Sequence, residues 1–305
     1  MLKKMLFVLF ALAVIGANLY PPLRLDHVSV EIEAAPIVTF GPFIITSTIF
    51  TTWLAMAGLA ALAYFGSRRL VASPSAGSLQ NIIQTAFEAL LDFVERFAGP
   101  LARAYFPVAA SFFLFVLTLN WLSLLPGFGS IGLWQQHGEE RVFVPLLRGA
   151  NADLNTTVAL ALVSVISAQV FGMRVQGSLA YLERFVRVGA FVEFFRRLFR
   201  ESKFHPGLLL SGLLDFFIGL LEIFEELTKI ISFSFRLFGN VFGGEVLLLV
   251  MAFILPYVIS IPFIGLEIMS GFVQALIFAV LSTAFAVRAA TAHGEPARSE
   301  DGLAH

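Results

Sequence analysis

The sequence predicts an all-α polytopic membrane protein, and three observations carry that prediction. Hydrophobic residues make up 58% of the 305 positions and charged ones only 13%, about half the charged share of a soluble domain. Mean hydropathy is +0.86. Several uncharged runs reach the ~20 residues with which a helix crosses a bilayer. A net charge of −1 excludes a nucleic-acid-binding surface as the main theme. The absence of Cys excludes disulfides, thiolate metal sites and Cys nucleophiles.

Residues 1–20, MLKKMLFVLFALAVIGANLY, read as a signal peptide or an N-terminal anchor. Two lysines precede an apolar run at 5–17 that is short for a span. Residues 21–43 are mixed and rich in proline, and are expected to form an external segment. The first span is 44–66. Arg68 and Arg69 follow it directly and mark the cytoplasmic side. Residues 79–97 set Glu88, Asp92, Glu95 and Arg96 on one side and Phe87, Leu91 and Val94 on another. That pattern predicts an amphipathic helix in the interface.

A second span covers about 106–125 and stops at PGFG. An outer loop at 127–152 carries His137, Glu139, Glu140 and Arg141. The third span is about 154–173. The densest basic segment follows, with Arg174, Arg184, Arg187, Arg196, Arg197, Arg200 and Lys203, and is expected in the cytoplasm. Pro256 and Pro262 divide the apolar remainder, 207–290, into two helices. The first, at ~48 residues, would be ~72 Å long, against ~30 Å of hydrocarbon. Both are therefore expected to be long and tilted. The count is five membrane helices plus the possible leading anchor. The polar tail, 291–305, is expected to be cytoplasmic and disordered.

Charged residues inside the long helices carry the functional signal. At ~100° per residue, Glu222, Glu225, Lys229, Ser232 and Asn240 fall near the direction of Arg236, giving a polar stripe on an apolar helix. Ionisable residues in a span face protein or water and commonly mark an ion path. Snorkelling would account for the residues near the cytoplasmic end. It would not account for Arg236, whose apolar flanks are long on both sides. The last helix holds two strongly polar interior residues, Glu267 and Gln274.

In an antiparallel hairpin, facing positions share a constant sum of residue numbers. Arg236 with Gln274 gives 510, and Glu245 with Glu267 gives 512. One register thus levels both pairs, with a turn near Pro256. Glu245 lies ~180° from Arg236 in ideal phase. It is expected to line a different passage at a different depth.

The segment SFRLFGNVFGGE (234–245) resembles the signature of the a subunit of F-type rotary ATP synthases. GANADLNTTVALAL (149–162), LNWLSLLPG (119–127) and QALIFAVLS (274–282) resemble further motifs of that family, in family order. The resemblance runs from about residue 44 to 290. It implies a membrane proton-channel domain over 44–290 and a non-catalytic stator subunit in a bacterial plasma membrane. Its implied partners are a c-ring, peripheral-stalk b subunits and membrane lipid, with no nucleic acid, cofactor or metal.

By position, Arg236 matches the family's essential arginine, between two offset half-channels. Asn240 and Gln274 match its polar neighbours, Glu245 an acid of the proton entry path, and Glu267 a position where relatives carry His or an acid. Glu222 matches an acid of the cytoplasmic exit path, with Glu225, Lys229 and Ser232 on the same stripe. Asn120, Asp153 and Asn155 stand in the motifs assigned to the outer entry path. Ser123 departs from the family, in which an acid is common there. A secondary transporter or stand-alone channel is the competing class, but transporters often show internal repeats, and none is seen here. A structural scaffold would not require charges at matched depths.

Overall fold

The computed structural model describes residues 36–41, 43–68, 78–125, 127–128, 131–137, 140–178, 181, 206–254 and 260–291. The leading segment, most of the basic segment and the tail, with the calls made on them, lie outside the described residues.

In chain order the elements are β1 (Pro36–Phe40), β2 (Phe43–Thr46), α1 (Ser47–Ser67), α2 (Leu79–Ala98), α3 (Ala102–Leu122), β3 (Gly132–His137), β4 (Glu140–Pro145), a short 3-10 turn (Ala150–Ala152), α4 (Leu154–Gln176), α5 (Pro206–Ile254) and α6 (Ser260–Ala290). Five of the helices, α1 and α3 to α6, are long and apolar enough to cross a membrane. The protein is a multi-pass, predominantly helical membrane protein. The amphipathic segment forms α2 as expected.

Two antiparallel hairpins were not anticipated. Residues 36–46 carry β-branched residues that suit a strand, and Gly41 takes φ +59 at the turn, a conformation that favours glycine. Ile44 and Ile45, expected in the first span, therefore belong to β2. Thr46 instead caps α1, its hydroxyl accepting from Ile49 N–H at 3.4 Å. The outer loop contains the second hairpin, pairing Leu133 with Val144 and His137 with Glu140.

The chain divides into two compact units, and α2 to α6 each contribute to both. One takes Met1–Gln84, Ala110–Ala159 and Phe233–Phe278; the other takes Thr85–Ala109, Leu160–Ser232 and Ala279–His305. In the first unit the α5–α6 register is set by side chains. Ser270 Oγ donates to Asn240 Oδ1 at 2.7 Å. The Phe233 and Phe278 rings pack 4.9 Å apart. These pairs have number sums of 510 and 511, so the two helices run antiparallel in the register read from the sequence. Phe112 packs edge-on to Phe278, and Asn120 Nδ2 donates to Gly271 O at 3.0 Å. The pairings place α3 antiparallel to α6.

The second unit packs by small residues. Ala279, Ser282, Thr283, Ala286 and Ala290 are buried on α6, with Ala161, Ser164 and Ala168 on α4. In lipid the hydrophobic effect gives helices no reason to associate, so close approach of small residues and interhelical hydrogen bonds must do so. Ser164 Oγ donates to Ser282 Oγ at 2.8 Å, and Gln176 Nε2 to Ala289 O at 2.8 Å. Residues therefore pair at a nearly constant number difference, and α4 runs parallel to α6. Tyr105 on α3 joins the cluster through Ser167 at 2.6 Å and Ser282 at 3.1 Å.

The chain lacks Cys, which makes the hairpin register directly testable. Asn240→Cys with Ser270→Cys should form a disulfide under mild oxidation, since a disulfide requires Cα atoms within about 7 Å. Asn240→Cys with Ile277→Cys keeps the α6 face but moves ~10 Å along the helix, and should not cross-link.

Candidate functional site

Polar and charged side chains cluster in both units. In the first unit the cluster begins on α1, where Ser47, Thr48 and Thr51 are fully buried. Thr48 Oγ1 donates to Asp153 Oδ2 at 2.6 Å. Asp153 Oδ1 accepts from Asn155 N–H at 2.9 Å, so this carboxylate also caps the start of α4. Thr51 Oγ1 donates to Ser47 O and accepts from the Arg148 backbone N–H at 3.2 Å. Asn151 Nδ2 donates to Asn120 Oδ1 at 2.7 Å, and Asn120 in turn bonds Gly271. Ser47 Oγ and Asn151 Oδ1 are buried without a protein hydrogen-bond partner.

Two acids meet this region from the long helices. The half-buried Glu245 lays its carboxylate against Gly149: a Cβ there would clash with Glu245 Oε1 and lie 3.2 Å from Ser123 Cβ. The buried Glu267 lays its carboxylate against α5 at Gly244, where a Cβ would fall on the carboxylate itself. A side chain at either position would force the carboxylate to move. Arg148 and Glu267 are charged groups whose fields reach Glu245. α5 remains a regular helix through Gly239, Gly243 and Gly244, so Glu245 points away from Arg236, toward the segment before α4.

Arg236 is exposed on α5, about one turn from the exposed Ser232 and Gly239 and the half-buried Asn240. Leu237 and Val241 turn inward and are buried. Gln274 is buried at the same register on α6.

In the second unit Lys229 Nζ is 2.7 Å from Glu226 Oε1 and 3.1 Å from Glu225 Oε1, and Arg288 Nη1 lies 3.0 Å from the same Glu225 oxygen. Lys229 also stands 5.1 Å over the Phe285 ring, a favourable cation–π placement. Two carboxylates and two cations thus offset one another.

The expected stripe on α5 does not occupy one environment. Glu222 and Lys229 are buried, Asn240 is half-buried, and Glu225, Ser232 and Arg236 are exposed. Residues within about 40° of one direction can still fall on opposite sides of the edge of a packing helix. Asn155 is exposed, and its backbone rather than its side chain meets Asp153. Sequence reading missed Arg148, Asn151, Arg288 and the α1 hydroxyls. Arg288 was within reach of the hairpin rule, since its sum with Glu225 is 513. The run Ser47, Thr48, Thr51, Thr52 carried a hydroxyl stripe at one-turn spacing.

The glycines separate two kinds of constraint. A Cβ at Gly172 on α4 meets Ala289 O at 2.6 Å and the Tyr181 ring. Gly172→Ala should overpack the helix contact and cost ~1–3 kcal/mol. Gly244→Ala meets only a movable carboxylate, and should leave thermal stability level or raise it by up to ~1 kcal/mol. Melting of the two variants in detergent checks the contrast. Equal loss in both would contradict it.

The family model described as ATP synthase A chain matches residues 49–286. A protein named ATP synthase subunit a from Moorella thermoacetica is 28% identical over 84% of this chain and 95% of its own length. One of the same name from Gloeobacter violaceus is 31% identical over 81% of this chain and 85% of its own. Another, from Syntrophobacter fumaroxidans, is 30% identical over 80% and 84%.

Proposed function

The chain belongs to the ATP synthase A chain family, and we propose that it is the proton-translocating stator subunit of an F-type ATP synthase in a bacterial plasma membrane. In this reading it contacts a ring of proton-carrying c subunits and the peripheral-stalk b subunits. It offers the ring two offset half-channels and takes no part in nucleotide chemistry. The observation that carries the reading is Arg236. Its side chain is exposed on the polar stripe of a helix long enough to span the bilayer. An ionisable residue in a span faces protein or water and commonly marks an ion path.

Arg236 acts as a fixed cation, because a guanidinium keeps its proton at any working pH. Its field favours the ionised form of a ring carboxylate, which must release its proton before it passes. The same field repels a proton crossing directly from one half-channel to the other. The outer half-channel runs through the Thr48, Asp153, Asn151 and Asn120 region to Glu245 and Glu267. Ser47 Oγ and Asn151 Oδ1 are the kind of buried groups that water satisfies along such a route. The cytoplasmic half-channel passes Glu222 and the Glu225–Glu226–Lys229–Arg288 network. Each proton moving down the potential supplies ~2.3 kcal/mol per 100 mV. Gln274 and Asn240 hold the α5–α6 hairpin polar at the level of Arg236.

Arg236→Ala should abolish ATP-driven acidification of inverted membrane vesicles while the complex still assembles. Arg236→Lys should be nearly as damaging, because a desolvated Lys sheds its proton where Arg cannot. Near-normal pumping by the Lys variant would contradict the reading.

A further inference from the structure

We propose that Arg148 is a positioning residue of the outer proton path, the cation that balances Glu245 and Glu267 so that the three together carry a single proton. The inference rests on the reading of Glu245 as the entry acid. Arg148 lies outside the long helices, in the segment leading to α4, and is half-buried. Its backbone N–H is held by Thr51 Oγ1 at 3.2 Å, and Thr51 is fully buried and tied to Ser47 O. The next residue, Gly149, is where the Glu245 carboxylate rests on the backbone. One position before Glu245, Gly244 receives the Glu267 carboxylate from α6. The two acids and the segment that carries Arg148 therefore meet beside the C-terminal part of α5. Arg148 and Glu267 both act electrostatically on Glu245.

The groups facing Glu245 can be taken element by element. The end of α3 presents Ser123, which is uncharged. α6 presents Glu267. The segment before α4 presents Arg148, while Asp153 is engaged with Thr48 and the α4 cap. On α5 itself Arg236 projects ~180° away.

The charge count follows from low dielectric. Two carboxylates beside one guanidinium are neutral when they share one proton. Zero or two protons leave an uncompensated charge, which is heavily penalised away from water. Because Arg148 cannot lose its proton, the cluster rests with one proton and exchanges it singly. Without Arg148 the neutral cluster holds two protons and has no vacancy for the next. Without Glu267, Arg148 and Glu245 form a neutral ion pair that holds none. Either change should slow transfer, and both together should restore a one-proton site.

The test uses the assembled complex in inverted vesicles, with ATP-driven acidification as the readout and subunit content checked by immunoblot. Arg148→Gln and Glu267→Gln should each slow pumping about tenfold, the effect of ~1.4 kcal/mol on a barrier. Arg148→Lys should retain most of the rate. The double variant Arg148→Gln/Glu267→Gln should pump faster than either single one. A merely structural role for Arg148 predicts no such recovery. Full-rate pumping by Arg148→Gln, or a double variant no faster than its parents, overturns the proposal. Should Arg148→Gln fail to assemble, Glu267→Gln against the double variant carries the same comparison. Glu245→Gln separates the two levels. If it pumps normally, the reading of Glu245 as the entry acid falls. If it is blocked while Arg148→Gln runs at full rate, only the role of Arg148 falls.

Discussion

A charge carried into a bilayer must be matched by another charge or by polar groups that the protein itself supplies. That constraint orders most of this structure. Lys229 meets Glu225 and Glu226, and Arg288 reaches back to Glu225. Asp153 takes a hydroxyl from α1 and a backbone N–H from α4. Glu245 and Glu267 gather near Arg148. Arg236 stands exposed on the polar stripe of α5.

The packing serves the same end. The α5–α6 register, fixed at Asn240–Ser270 and Phe233–Phe278, sets the levels at which α6 side chains meet α5. Glycines then decide where acids approach the backbone. Gly149 admits Glu245 and Gly244 admits Glu267, while Gly172 allows α4 and α6 to close on each other. Small residues elsewhere on α6 let helices approach where lipid gives no hydrophobic drive. A larger residue at Gly149 or Gly244 would push a carboxylate aside, with little consequence for the fold.

Much of this was legible in the sequence. Five apolar runs became five helices of spanning length, and a 49-residue α5 appeared where ~48 residues were expected between breakers. The hairpin register was legible because polar residues are so rare in these helices that two pairs fixed it. The β-hairpins at 36–46 and 132–145 were not legible, since short apolar or mixed loops have weak periodicity. Nor was the role of Arg148, because its importance depends on a long-range approach to Glu245 across almost a hundred residues. The environment of each stripe residue also escaped, since phase gives direction on a helix but not the edge of its neighbour.

The central claim is that the exposed face of α5 around Arg236 meets a carboxylate-bearing partner within the membrane. Single Cys at Ser232 or Gly239, each about one turn from Arg236 on this Cys-free chain, can be paired in native membranes with a Cys beside the carboxylate of the proton-carrying ring subunit. The account predicts a cross-linked product from both positions and none from Leu237→Cys or Val241→Cys, which face inward. Cross-linking from the inward positions, or its absence from Ser232 and Gly239, would contradict it.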